Sequence, residues 1–182
     1  MLSLKSKIAQ KLLTYFFTNK TGEHYSAELA RLLEEDSKNT HTKLKELTAD
    51  GLLKSRLQGR ETFYSLNLEF PLLKEYESIV QKTVGVEAQL RIIMESTEGI
   101  KTAYIFGSYA KNQLSPTSDI DVLAVGNHDF LELQKKVLKL QKTVNREINV
   151  IDMSEEEFEN KKANKDEFLQ KILKDHPITL LG

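Results

Sequence analysis

The chain has 182 residues, 26 basic against 27 acidic side chains, and a formal net charge of −1. Its 40% hydrophobic and 29% charged residues are a globular composition, which excludes wholesale disorder and leaves room for one domain or two small ones. The lack of cysteine excludes disulfides, iron–sulfur clusters and cysteine-ligated zinc, no run of about 18 apolar residues offers a membrane span, and Lys5, Lys7 and Lys11 interrupt what would have to be a secretory signal, so a cytoplasmic protein is expected.

Leu4, Ile8, Leu12 and Phe16 recur every four residues and predict a first helix. Asn19, Thr21 and Gly22 break it. Ser26 is expected to cap a second helix through Glu34, with Leu29 and Leu33 inward. Ser37 is expected to cap a third, running to about Asp50, with Leu44 and Leu47 inward and Gly51 as its left-handed C-terminal cap. Leu52–Leu57 and Glu61–Leu66 then read as two strands joined by Gln58, Gly59 and Arg60.

Charge is distributed unevenly along the chain. Residues 37–60 hold Lys38, Lys43, Lys45, Lys54, Arg56 and Arg60 against Glu46 and Asp50. Three helices followed by a basic hairpin resemble the winged helix-turn-helix DNA-binding domains, over residues 1–68. The resemblance implies that the third helix enters the major groove with Lys38, Asn39, Thr40, Thr42 and Lys43, while Arg56 and Arg60 reach phosphate or the minor groove. A solvated lysine-bearing helix, or a module for protein docking or dimerisation, reads the same way, and a homodimer on paired half-sites is compatible with either. Pro71 opens a connecting helix over residues 69–84, with Leu72, Leu73, Tyr76, Ile79, Val80 and Thr83 at helical spacing. The joint falls near Thr83–Val86.

Residues 85–182 carry the chemistry. Ala103–Phe106 is a short apolar run that reads as a buried strand, ended by Gly107 and Ser108. Lys111–Ser118 is a polar loop. In Asp119–Val125, Ile120, Val122 and Ala124 alternate with Asp119, Asp121 and Leu123, so both aspartates project from one face of a strand. Two such carboxylates repel unless a cation lies between them, and a hard divalent ion, Mg²⁺ or Mn²⁺, suits oxygen donors beside phosphates. Gly107 lets the backbone approach a phosphate, and Ser108 adds a hydroxyl.

Gly107-Ser108, ten residues, then Asp119-x-Asp121 resembles the signature of the DNA polymerase β-like nucleotidyltransferases, most closely their minimal branch. The alternative is a pair of surface aspartates on an edge strand. The resemblance implies an α+β fold with a mixed sheet, Asp119 and Asp121 holding the metal, and Gly107, Ser108 and Lys111 holding the phosphates of ATP or another triphosphate. Asn112 stands where the family often has glycine. The family's third carboxylate falls on Asn149; Glu147 shares that strand face, and Asp152 points the other way.

The rest supports the same fold. Asp129–Val144 reads as a helix with Phe130, Leu133, Val137, Leu140 and Val144 inward. Ser154 with Glu157 is a capping box for a helix to about Lys162, Lys165–Asp175 is another helix, and Ile178–Leu181 is a last strand. Phe158, Phe168 and Leu169 are expected in the core, and Tyr109 is a candidate for base stacking or modification. The whole chain is similar to prokaryotic transcriptional regulators fused to a nucleotidyltransferase domain. Three functions follow from the resemblance: transfer of a nucleotide to a hydroxyl, a DNA-binding regulator whose transferase domain only senses nucleotide, or an antitoxin paired with a helical HEPN toxin.

Overall fold

The computed structural model describes residues 4–115 and 117–182. The chain divides into two compact units, Met1–Ala88 with Lys142–Asn145, and Gln89–Gln141 with Arg146–Gly182.

In the first unit, α1 (Lys7–Thr18) is capped by Ser6. It is followed by β1 (Glu23–Tyr25), α2 (Ser26–Leu32), α3 (Ser37–Ala49), β2 (Leu53–Gln58), β3 (Glu61–Leu66) and α4 (Leu73–Thr83). The strands form an antiparallel sheet in the order β1-β3-β2. Leu12, Leu13, Phe16, Leu29, Leu44, Leu47, Leu53 and Tyr64 form one core, and Val80 of α4 is buried in it. Gly51 takes φ +81°, the left-handed end to α3 that its position predicts.

Two local expectations are corrected. Ser26 does not cap α2: it is the first helical residue, and the N-cap is Tyr25, with no side-chain cap bond. Ser37 likewise lies inside α3, because Asp36 takes the cap and its carboxylate accepts from the Asn39 N–H at 2.8 Å. Asp36 and Ser37 are both competent caps, and the extended backbone of Asp36 decides between them. Strand β1 has no sequence signal of its own. It is three residues long and exists through its pairing with β3, Glu23 opposite Ser65 and Tyr25 opposite Phe63.

The remaining elements are α5 (Val86–Glu95), β4 (Ile100–Phe106), the single-turn α6 (Gly107–Ala110), β5 (Ile120–Gly126), α7 (Phe130–Val144), β6 (Ile148–Met153), α8 (Glu155–Ala163), α9 (Glu167–Lys174) and β7 (Ile178–Leu181). Helix α5 was not anticipated, although Val86, Leu90 and Met94 repeat every four residues and are fully buried. The sheet runs β6-β5-β4-β7, with β5 and β6 parallel and the other pairs antiparallel. This is the mixed α+β arrangement expected for this half.

One face of the sheet carries a core of Leu123, Val125, Met153, Phe158, Leu169 and Ile172, with Tyr104, Phe106 and Ile151 packed against it. Helices α8 and α9 therefore cover this face. Ser154 Oγ accepts from the Glu157 N–H at 3.1 Å, as the capping box requires. Two aromatic residues expected inside are not: Phe130 is 38% exposed and Phe168 41%. Phe130 sits at the first residue of α7, where Leu133, Val137 and Leu140 do the burying.

Candidate active site

Strand register assembles the site. Phe106, the last residue of β4, pairs with Asp121 of β5, and Asp121 pairs with Asn149 of β6. Directly paired residues share a face, so Phe106, Asp121 and Asn149 form a row across three strands, at the end of the sheet where β4 finishes and β5 and β6 begin. Asp119 lies two residues before Asp121, on the same face and just ahead of the strand. Asp152 lies on the opposite face, with its Oδ1 3.1 Å from Nε2 of the buried His128 ring.

Gly107 follows Phe106 directly. Its φ of +71° lies in the left-handed region, and a Cβ there would come within 2.6 Å of Asp121 Oδ2. The glycine both makes the turn into α6 and leaves space for the aspartate. Asn112 takes φ +53°. Asparagine tolerates that conformation, so the loop keeps its left-handed turn without glycine.

The carboxylates are electrostatically loaded. Desolvation pushes the Asp121 carboxyl above its ordinary range; a hydrogen bond from Asn149 pulls it back in part, and the charge of Asp119 raises it further. Asn149 Nδ2 also donates to Asp119 Oδ2 at 3.3 Å. The amide thus bridges both aspartates from the β6 position paired with Asp121. Among the described residues there is no group of three or more His, Cys, Asp and Glu side chains arranged to hold a metal. The donor set is two carboxylates and one amide, and the uncompensated charge at Asp121 fits a hard cation with oxygen ligands.

Lys111 Nζ is 2.7 Å from Asp175 Oδ2, just after α9. The lysine holds the Asp175 carboxyl below its ordinary range. Arg146 donates through Nη1 to the Ser115 and Ser118 carbonyls at 2.8 and 2.6 Å, tying the polar loop to the start of β6. Neither partnership was legible: 64 residues separate Lys111 from Asp175, and the Arg146 bonds go to backbone. Glu147 is exposed, and its carbonyl accepts from the Ile120 N–H. Tyr109 is buried, which removes it as an open stacking or modification residue.

The residues expected on DNA divide. Lys38, Asn39 and Thr42 are exposed on α3, and Arg60 is exposed beside the hairpin turn. Thr40 is fully buried and cannot contact a groove. It precedes Leu44 by four residues and Leu47 by seven, so helical spacing itself puts it on the apolar stripe. Lys43 is paired with Glu46 and Lys54 with Glu69. Arg56 is paired with Glu23 at 2.6 Å, bonded to Gln58, and placed over the Phe63 ring.

Residues 88–176 match the family model described as Polymerase beta, Nucleotidyltransferase. Over this segment, just under half of its length, the chain is similar to the polymerase beta-type nucleotidyltransferases. Two curated relatives from Methanocaldococcus jannaschii are similar to the chain. "Putative protein adenylyltransferase MJ0435" is 38% identical over 55 residues, 29% of this chain and 59% of its own length. "Putative protein adenylyltransferase MJ0604" is 46% identical over 68 residues, 36% of this chain and 64% of its own length. The chain therefore spans about 60% of the length of each of these relatives. A solved chain described as "toxin-antitoxin with AMP-PNP" aligns at 17% identity with a TM-score of 0.39, over 53% of this chain and 73% of its own. Among the described residues, no helix is long and apolar enough to cross a membrane.

Proposed function

We propose that the nucleotidyltransferase domain transfers a nucleoside monophosphate from ATP, or another triphosphate, to a hydroxyl of a protein, with a divalent metal as cofactor. The observation that carries this reading is the convergence of Gly107-Ser108 with Asp119 and Asp121 at one end of the sheet. In this reading Asp119 and Asp121 hold Mg²⁺ or Mn²⁺, and Gly107, Ser108 and Lys111 bind the phosphates. The metal supplies neutralising charge at the phosphate oxygens. The acceptor oxygen bonds to the α-phosphorus as the bridge to the β-phosphate breaks, and pyrophosphate leaves. Asn149 orients the two aspartates but takes no proton, so that task falls to the exposed Glu147. The protein acceptor is supported by the names of the two archaeal relatives.

The test is label transfer from α-labelled ATP, with Mg²⁺ or Mn²⁺, into a total lysate. The reading expects labelled protein that disappears in Asp119→Ala/Asp121→Ala, and a helical toxin is the first purified acceptor to try. Label in nucleic acid instead overturns the acceptor class.

A second reading is favoured by Asn149 occupying the third acidic position. Here the first unit is a winged helix-turn-helix that binds DNA through Lys38, Asn39, Thr42 and Arg60, and the transferase domain senses nucleotide without turnover. The order of three helices and a hairpin supports it, and the carboxylate partners of Lys43 and Arg56 weigh against a strongly basic surface. Nucleotide binding without label transfer, and DNA affinity that changes with nucleotide, would establish it; equal DNA affinity with and without saturating ATP would end it.

A further inference from the structure

We propose that Phe168, backed by Phe106, is the platform on which the base of the bound nucleotide stacks; this rests on the nucleotide reading above. Helix α9 buries Leu169 and Ile172 to 1% and 3% exposure. Phe168, one residue earlier, is turned out of that core and remains 41% exposed. Its ring nevertheless has a fixed partner: it meets Phe106 edge to face, with centroids 6.1 Å apart and planes at 88°. Phe106 is bonded to Gly107 and paired across the sheet with Asp121. The exposed aromatic surface thus begins one residue from the phosphate-binding turn and one strand from the metal-binding carboxylates.

The other end of the same helix carries the second half of the argument. Asp175, its C-cap, holds Lys111 at 2.7 Å. One helix therefore borders the site twice, with an aromatic ring at its start and the partner of the phosphate-binding lysine at its end. A triphosphate has one charged part and one flat apolar part, and the two ends of α9 match these in kind. A ring held edge-on by a neighbour is pre-oriented, so little freedom is lost when a base covers it. Every base has a π-face, so stacking of this kind favours nucleotides over bare phosphates without choosing strongly among bases.

The chain contains no tryptophan, so Phe168→Trp supplies a single fluorescent reporter at the ledge. Binding of ATP and of inorganic tripolyphosphate, both with Mg²⁺, is measured by calorimetry for wild type, Phe168→Ala and Phe168→Trp, with circular dichroism to confirm folding. Wild type is expected to prefer ATP. Phe168→Ala should weaken ATP roughly five- to a hundredfold, the range of one base–aromatic stack, and leave tripolyphosphate unchanged. In Phe168→Trp, ATP should quench the emission and tripolyphosphate should not. Unchanged ATP affinity in Phe168→Ala, with an unresponsive tryptophan, overturns the ledge while leaving nucleotide binding intact. Unchanged ATP affinity with reduced label transfer also overturns it, since the ring would then serve the acceptor. If wild type binds neither ligand, the nucleotide reading fails and the ledge with it.

Discussion

The charge of Asp121 is costly to the fold. Burial and the neighbouring Asp119 both raise its carboxyl, against the pull of the Asn149 hydrogen bond. A carboxyl whose folded value lies above its unfolded value binds its proton more tightly when folded, so the fold loses stability as pH rises through that value. At neutral pH the charge is therefore a cost. Asp121→Asn should raise the melting temperature by about 1–2 °C in metal-free buffer, and the stabilisation that Mg²⁺ gives wild type should vanish. A thermal scan with and without Mg²⁺ checks both; a lower melting temperature in the metal-free variant would show that the carboxylate stabilises the fold. Gly107→Ala is expected to act on the same residue from the other side. It forces a side chain into the left-handed region, at about 1–2 kcal/mol, and crowds Asp121 Oδ2. Denaturant melts and Mn²⁺ titration should show lost stability and weakened metal binding together.

At the scale of elements, α9 links what the sequence keeps apart. Lys111 cannot bind phosphate and Asp175 with the same protons at once. Asp175 is held charged below its ordinary range, so mild acid does not release the lysine, whereas substitution does. Asp175→Asn should tighten triphosphate binding by up to about fivefold, the ordinary worth of an exposed pair. Calorimetry decides: weaker binding would mean that Asp175 positions the lysine rather than competing for it. Period-two alternation made Asp119 and Asp121 legible as a pair, and Gly-Ser at a strand end gave their partner. Helix α5 was missed, although Val86, Leu90 and Met94 carry its four-residue spacing. Strand β1, the Lys111–Asp175 pair and the Phe106–Phe168 contact were not legible. Each depends on residues brought together from distant parts of the chain, and no local pattern encodes them.

For the whole molecule, the net charge of −1 conceals how the basic residues are used. Of the six in residues 37–60, Lys43, Lys54 and Arg56 are paired with carboxylates. Counting charge along the sequence could not see this, because Glu23 and Glu69 lie outside the basic segment. If the first unit binds DNA through this segment with its existing pairs intact, Lys38, Lys45 and Arg60 are the cations of the six left to displace counterions. The logarithm of affinity should then fall against the logarithm of salt with a slope of about −3. A slope near −5 or steeper in a salt titration would mean that the carboxylate pairs open and yield their cations to phosphate.

The row of Phe106, Asp121 and Asn149 also guards against error during folding. On β5 each aspartate alternates with a fully buried apolar residue, Ile120 and Val122, and on β6 Asn149 follows the buried Ile148. A slip of one residue in either strand would turn the polar side chains of the row into the opposite, apolar layer. The penalty for mis-threading is thus set by the same side chains that make the site. A newly made chain that has paired its strands wrongly lacks the site and is also unstable, so few molecules should persist as folded but inactive forms.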